Sequence, residues 1–287
     1  MTDAPAGAAH AVPARCTPAP AADALAGLRI LVPRDGEGAV RAEAAIAARG
    51  AVPVRLPLIT AVPPRDPAAL DAAVARWAAG HYDWLVVTSA AGASAIAGAG
   101  ARAGVGRGIA AVGPATAAAL AAHGLTAALT PTSEFTGAAL GAELVERLAT
   151  ATPSARVLLA VAAAAGDDVE RALRDAGHRV DRVTAYRTVP APRDPAGERE
   201  VAAHGVAAVL VTSGSVAREL AARFDAGPAG ALTVAIGPPS AAVLVELGRP
   251  ADVVASHHTI PGMLDALAAH LTAHPQTTPP RTTGDHA

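Results

Sequence analysis

Few side chains in this 287-residue sequence could do chemistry, and most of those that could occur twice. Thr88-Ser89 and Thr212-Ser213 each end an apolar run and precede a helix-like stretch. Gly113-Pro114 with Thr116, and Gly237-Pro238 with Ser240, follow a second run in the same way. Thr136-Gly137 in one half, and Thr259 through Gly262 in the other, open a third helix. Proline fits a first helical turn because its missing N–H would be unpaired there anyway, and Ser or Thr oxygens cap the free N–H groups. Taken singly, each of these turns is a helix cap. As a set they have a further use, because helix N-termini offer free N–H groups and partial positive charge and so bind anions. In a parallel α/β sheet such turns share the carboxyl edge, where ligands bind. Six of them, three from each half, could surround one large polyanion without lysine, a residue this sequence lacks.

Tyr186 lies in the extended segment VTAYRTVP. A phenol there can donate a proton to a leaving group or hydrogen-bond an oxygen. The second tyrosine, Tyr82 in GHYDW, stands just before an apolar run and reads as structural. Arg34, Arg187 and Arg218 fall near expected turns, and a guanidinium fork suits carboxylates.

Several sharper chemistries are excluded. GEG at 36–38 and GVGRG at 104–108 form neither a P-loop nor a dinucleotide fingerprint. No HExxH, no Cys/His ligand spacing and no GxSxG elbow occurs, so no metal site is expected. His257 and His258 are adjacent, and on an extended segment they would point to opposite faces. The single cysteine, Cys16, cannot form an intrachain disulfide and fits a cytoplasmic setting. Net charge is -2 with no basic run, which argues against nucleic acid. The start lacks a signal-peptide pattern, and no apolar stretch is long enough to span a membrane.

The elements that must position these residues follow from the apolar runs. Strands are expected at 28–33, 51–59, 84–89, 108–113, 156–161, 178–189, 206–213 and 232–237, with helices at 38–49, 90–100, 115–123, 137–149, 167–176, 214–223, 240–247 and 261–271. Alternating strand and helix signals a mostly parallel sheet covered on both faces. The sequence also repeats itself. VVTSAAGASAIAG (86–98) resembles LVTSGSVARELAA (210–222), and AAVGPATAAALAAHG (110–124) resembles VAIGPPSAAVLVELG (234–248), at a common offset. RILVP (29–33) matches RVLLA (156–160) upstream. A duplicated unit of this kind forms two similar lobes, and ligands often bind where lobes meet.

The repeat, the TS and GP turns and the YRT segment together resemble the uroporphyrinogen-III synthase family over roughly 28–272. The motifs that carry the likeness are DWLVVTS (83–89), AAVGPATAAALAAHG (110–124), EFTGAAL (134–140), VDRVTAYRTVP (180–190), LVTSGS (210–215) and AIGPPSAAVLVELG (235–248). The resemblance implies two three-layer α/β/α lobes with parallel sheets, joined by a two-stranded linker, with the first βα unit swapped into the C-terminal lobe. On that pattern one lobe is 28–56 with 190–272 and the other is 61–184, between disordered tails at 1–26 and 273–287. Repetition alone would cut the chain near 152 and cannot reveal the swap.

The resemblance further implies a lyase without cofactor, a monomer that takes the small molecule hydroxymethylbilane, with no nucleic-acid or membrane partner. Water would leave the linear tetrapyrrole, and the ring would close through a spiro intermediate with inversion of ring D. The family's linker tyrosine falls on Tyr186, which would help the hydroxyl leave. Its carboxylate-binding turns fall on Thr88, Ser89, Thr116, Thr212, Ser213 and Thr259, with backbone N–H groups at Gly113 and Gly237. Arg34 matches the arginine that follows the first strand. The sequence departs from the pattern at AAAAGDD (162–168), where relatives often carry Gly and Arg, and at Ala-Ala-Gly (90–92), where an Asn-Gly-like turn is common.

Two other readings compete. A non-catalytic two-lobe ligand-binding or sensory protein on the same fold need not keep the tyrosine. A flavodoxin-like nucleotide or flavin binder is disfavoured by the 2% aromatic content and the missing phosphate fingerprint. Two thin crossing segments predict lobes that move relative to each other. Solution scattering should then report a different shape when product is added; one rigid shape in both states would contradict it.

Overall fold

The computed structural model describes residues 24–104, 108–150, 154–224, 228 and 230–275. Cys16 and most of the two expected tails lie outside them. Inside the expected first tail, residues 24–27 form a turn that buries Leu25 in the core, because Gly27 donates its N–H to the Gly50 carbonyl at 2.8 Å.

The first repeat runs β1 (Arg29–Arg34), α1 (Gly36–Ala47), β2 (Val52–Val62), α2 (Pro67–Ala78), β3 (Trp84–Val87), α3 (Ala90–Gly98), β4 (Gly108–Ala111), α4 (Pro114–Ala122) and α5 (Gly137–Ala149). The second runs β5 (Arg156–Ala162), α6 (Asp168–Asp175), β6 (Arg179–Pro190), α7 (Pro195–His204), β7 (Ala208–Val211), α8 (Gly214–Arg223), β8 (Leu232–Ala235), α9 (Pro238–Glu246), β9 (Val253–Val254) and α10 (Ile260–Ala273). The helix-capping residues repeat with the strands. Asp35, Asp66, Ser89, Gly113 and Thr136 begin helices of the first repeat; Asp167, Asp194, Ser213, Gly237 and Thr259 begin their counterparts.

Strand pairing does not respect the repeats. β1 lies parallel between β2 and β7, and β8 and β9 continue that half-sheet. The other half-sheet has β3 between β4 and β5, with β6 beyond β5. Each half therefore has the doubly wound order in which the second strand of the unit lies beside the first at one edge. In the second half an isolated bridge from Ala110 to Leu129 stands where β9 stands in the first. The first βα unit is thus hydrogen-bonded into the sheet of the C-terminal strands.

Each half-sheet is covered on both faces. Ile30 and Val32 of β1 enter one apolar cluster with α1 and α10, while Leu31 enters another with α7, α8 and α9. In the other lobe, α2, α3 and α4 cover one face, and α5 and α6 the opposite one. The inner strands β1, β3, β5 and β7 are mostly apolar because both faces are buried, whereas β2 and β6 also carry charged residues. None of these four clusters contains residues of both lobes. Among the described residues no helix is long and apolar enough to cross a membrane.

The lobes are joined where β2 and β6 pair antiparallel, Ile59–Val62 against Arg187–Pro190. Before that point each strand pairs on one side only, β2 with β1 and β6 with β5. That explains Pro53 and Pro57 within β2, since an edge position needs no outward N–H. Arg223 of α8 secures the lobe end of the junction. Its guanidinium is 4% exposed and donates to the carbonyls of Leu58 and Ala191, one on each crossing segment. Glu219 and Glu198 stand beside it at 3.3 and 3.7 Å. Hydrogen bonding to Arg193 holds the Glu198 carboxyl below its ordinary value, against the opposing effect of burial. A depressed carboxyl contributes stability above its unfolded pKa and loses it as pH falls through the folded value, so this anchor should weaken in acid.

Arg223→Ala leaves the Ala191 carbonyl and the Glu219 carboxylate without this donor, while the Leu58 carbonyl keeps the Ala191 N–H and Glu198 keeps Arg193. It should lower stability by about 3 kcal/mol in urea unfolding, and Arg223→Lys by less. An unchanged unfolding midpoint in the alanine variant would mean that the clamp contributes nothing.

Candidate functional site

Between the lobes lies a cavity of about 910 Å³. The start of α1 lines one side, the turns after β3 and β4 line the other, and Ile59–Pro64 with Ala185, Tyr186 and Thr188 form the floor. Ligand pockets run from roughly 300 to 1,000 Å³, so this one suits a large ligand.

Five of the residues singled out from sequence meet here: Arg34, Thr88, Ser89, Thr116 and Tyr186. Tyr186 sits where β6 changes register against β5, because Thr184 pairs with Val161 but Tyr186 with Ala162. Such a bulge re-aims side chains, a common device beside functional sites. The Tyr186 ring packs on the α2–α3–α4 core, and its hydroxyl has no hydrogen-bond partner among the described residues. Arg34 ends β1 just after a second register shift, where it pairs with Ile59. Its guanidinium makes no hydrogen bond or ion pair among the described residues, and lies over Gly38, where even a Cβ would stand in ordinary contact at 3.5 Å. Burial lowers the Arg34 pKa; Tyr186 opposes this and Arg41 adds to it. The group stays charged, since arginine's ordinary value lies so high.

Ser89 caps α3 by accepting the Gly92 N–H at 3.0 Å, and Thr259 caps α10 by accepting that of Gly262 at 3.1 Å. Capping uses a lone pair and leaves the hydroxyl proton free to donate to an anion. Thr116 is buried at 3%, as is its counterpart Ser240 at 4%.

Gly113, Thr212, Ser213, Gly237 and Thr259 do not line this cavity, although Ile236 and Ile260, next to two of them, do. The cleft is asymmetric. Lobe one faces it mainly through the β1–α1 turn, lobe two through the β3–α3 and β4–α4 turns. Thr212 keeps its Oγ1 buried without a partner. Gly113 and Gly237 have an explanation apart from their N–H groups. A Cβ would come within 3.0 Å of Phe135 at the first and 2.7 Å of the His258 ring at the second, so a ring covers each glycine. Arg218 is absent from the lining, and Arg187 lines a different pocket. Tyr82 is buried at 4% and donates to Asp181 at 2.7 Å while accepting from Arg76, which fits its structural reading.

Sequence reasoning missed Asp35, Glu37 and Arg41, which line the cavity from the start of α1, and Asp71 of α2. The available signal was DGEG directly after Arg34, a helix start carrying charge. The departure at 162–168 has a structural counterpart too. That turn does not reach the cavity, and Arg171 neutralises the acidic start of α6 by pairing with Asp167 and Asp168 at 3.1 and 2.7 Å.

Two doubly wound lobes with a deep cleft over a crossing ribbon define a class of two-lobed α/β proteins. The profile of "Uroporphyrinogen-III synthase HemD" matches residues 40–265, most of the chain, and the chain belongs to that family of porphyrin-biosynthetic enzymes. Among solved structures, uroporphyrinogen-III synthetase from Helicobacter pylori is similar at 16% identity and a TM-score of 0.54, over 85% of this chain and 99% of that one. A mutant uroporphyrinogen III synthase from the extremely thermophilic bacterium Thermus thermophilus aligns at 21% identity and a TM-score of 0.49, over 86% of this chain and 100% of that one. No curated protein matches the chain significantly.

The two serine caps make an internal control. Ser89→Ala and Ser213→Ala should each cost about 1 kcal/mol of stability, since each deletes a cap. Only the first should weaken binding of an octacarboxylate porphyrin in a fluorescence titration. Equal loss of binding in both variants would show that the second turn also reaches the ligand.

Proposed function

We propose that this protein catalyses the dehydrating cyclisation of hydroxymethylbilane to uroporphyrinogen III. The observation that supports this most is the meeting of Tyr186, with an unpartnered hydroxyl, and Arg34, with an unpartnered guanidinium, in one inter-lobe cavity. Tyr186 donates its proton to the departing hydroxyl, so that water leaves and the terminal pyrrole becomes an electrophilic azafulvenium cation, balanced by the phenolate left on Tyr186. Arg34 faces the negative charge that develops on the phenolic oxygen, which is electrostatic stabilisation of a leaving step. The free hydroxyl protons of Thr88, Ser89 and Thr116 hold substrate carboxylates on the lobe-two side.

Ring D then attacks through its substituted carbon, and fragmentation of the spiro intermediate followed by reclosure inverts it. Uncatalysed closure gives the uninverted type I isomer, so the enzyme's task is to hold one folded geometry. A site that sets hydroxyls, one phenol and a guanidinium around the substrate fits that task. The reaction is a lyase reaction, and the small apolar lining from Ala90, Ala91, Ala95 and Ala99 leaves room for four pyrroles.

The purified chain added to freshly generated hydroxymethylbilane should give type III product after oxidation and separation of the isomers. Tyr186→Phe should lower kcat by about 10²-fold or more, as loss of a proton donor does. Arg34→Met should lower kcat and also raise KM. Only type I product, formed at the uncatalysed rate by folded protein, would leave a ligand-binding relative of the fold.

A further inference from the structure

The face of the linker away from Thr188 carries a second pocket, of about 360 Å³, between the start of α2 and the outer part of β6. Arg65, Arg182 and Arg187 line it, with Asp66 the one carboxylate among the lining residues. Asp66 is already engaged, since its Oδ1 caps α2 by accepting the Ala69 N–H at 3.0 Å. Arg182 is held in place by the Ala165 and Gly166 carbonyls at 2.7 and 3.0 Å and by Glu170 at 3.2 Å. Arg65 and Arg187 make no side-chain hydrogen bond or ion pair among the described residues. The Nε of Arg187 is shut off from solvent and still has no acceptor.

A buried charged donor without a partner is costly, and its usual explanation is an unseen ligand, ion or water. Here two unpaired guanidinium groups and the fixed guanidinium of Arg182 converge on one small space, against the single negative charge of Asp66. That combination selects an anion rich in oxygen, because guanidinium forks bind carboxylate and phosphate oxygens in pairs.

We propose that this pocket binds one compact oxoanion, a phosphate-like dianion or a carboxylate group, between Arg65, Arg182 and Arg187. The ligand ties the start of α2 to β6 just beside the residues that join the lobes. It has two available sources, a free anion or a carboxylate arm of the cleft ligand passing Pro64, which lines both pockets. The site does not depend on the synthase reading, since binding is measured without turnover.

The test uses inorganic phosphate and the full chain, at constant ionic strength set with chloride. Calorimetry should give one saturable site, and thermal unfolding should shift upward with phosphate, as it does for any ligand of the folded state. Arg187→Gln and Arg65→Gln should each weaken phosphate by about tenfold or more through loss of a charged pair, whereas the exposed Arg199→Gln on α7 should not. Arg65 is exposed, so its variant serves even where the Arg187 variant does not fold. Competition then separates the sources. If phosphate and an octacarboxylate porphyrin exclude each other in the parent chain and not in Arg65→Gln, the tetrapyrrole supplies the anion. If both bind together, the site takes a free one. No saturable phosphate binding at matched ionic strength, or parent-like binding in both pocket variants, overturns the proposal.

Discussion

Four backbone pairings between Ile59–Val62 and Arg187–Pro190 are the constraint on which the rest of this molecule depends. The apolar clusters stop at the lobe boundaries, so hydrophobic burial stabilises each lobe and not their relation. What relates them is this short ribbon, clamped on one side by Arg223. The same ribbon forms the floor of the cleft, and Tyr186 stands at its edge. The pivot and the site are therefore built from the same residues. A ligand that touches both lobes and the ribbon must act on the angle between them, which is how domain closure can both exclude water and align reacting groups.

Much of this was legible in sequence, and the gaps have physical causes. Most of the longer strands announce themselves because burial on both faces leaves nearly unbroken apolar runs, while β2 and β6 show as longer extended segments that also carry charge. β9 has two residues and its counterpart at Leu129 is a single bridge, too short for any pattern. Helices α2 and α7 were missed because alanine dilutes helical periodicity. Yet both begin with Asp-Pro, at Asp66-Pro67 and Asp194-Pro195, a cap followed by a residue preorganised for the first turn. The swap of the first βα unit is invisible to repetition. β1 and β5 are sequence counterparts, and nothing local to either says which half-sheet it joins; the family likeness supplied that expectation.

The site was legible by residue type but not by orientation. Hydroxyl-bearing turns could be counted in each half, but which of them face the cleft depends on how the lobes meet, a property of the ribbon. Ser89 and Ser213 are equivalent in sequence and as caps, and differ only in what lies opposite them. Asp35, Glu37 and Arg41 went unread because GEG was compared with phosphate-binding loops and not with a charged helix start.

The Ser89 cap suits a cleft that receives an anion. Aspartate is at least as good a cap as serine and better than threonine or glycine, and its charge also complements the helix dipole by about 0.3–1 kcal/mol. This chain uses aspartate for α1, α2, α6 and α7. It uses Ser, Gly and Thr for α3, α4 and α5, and the same three in the same order for α8, α9 and α10. Of these six caps only Ser89 lines the cleft, and there stability alone gives no reason to prefer a neutral cap. An aspartate there would set a fixed negative charge against a ligand carboxylate, whereas a hydroxyl caps with its oxygen and keeps a proton to donate. Where an aspartate does begin a helix at the cleft, as Asp35 does, the unpaired guanidinium of Arg34 precedes it in the chain and lines the same cavity. At the Ser89 turn, then, the helix forgoes a charged cap where an anion can use the hydroxyl proton instead.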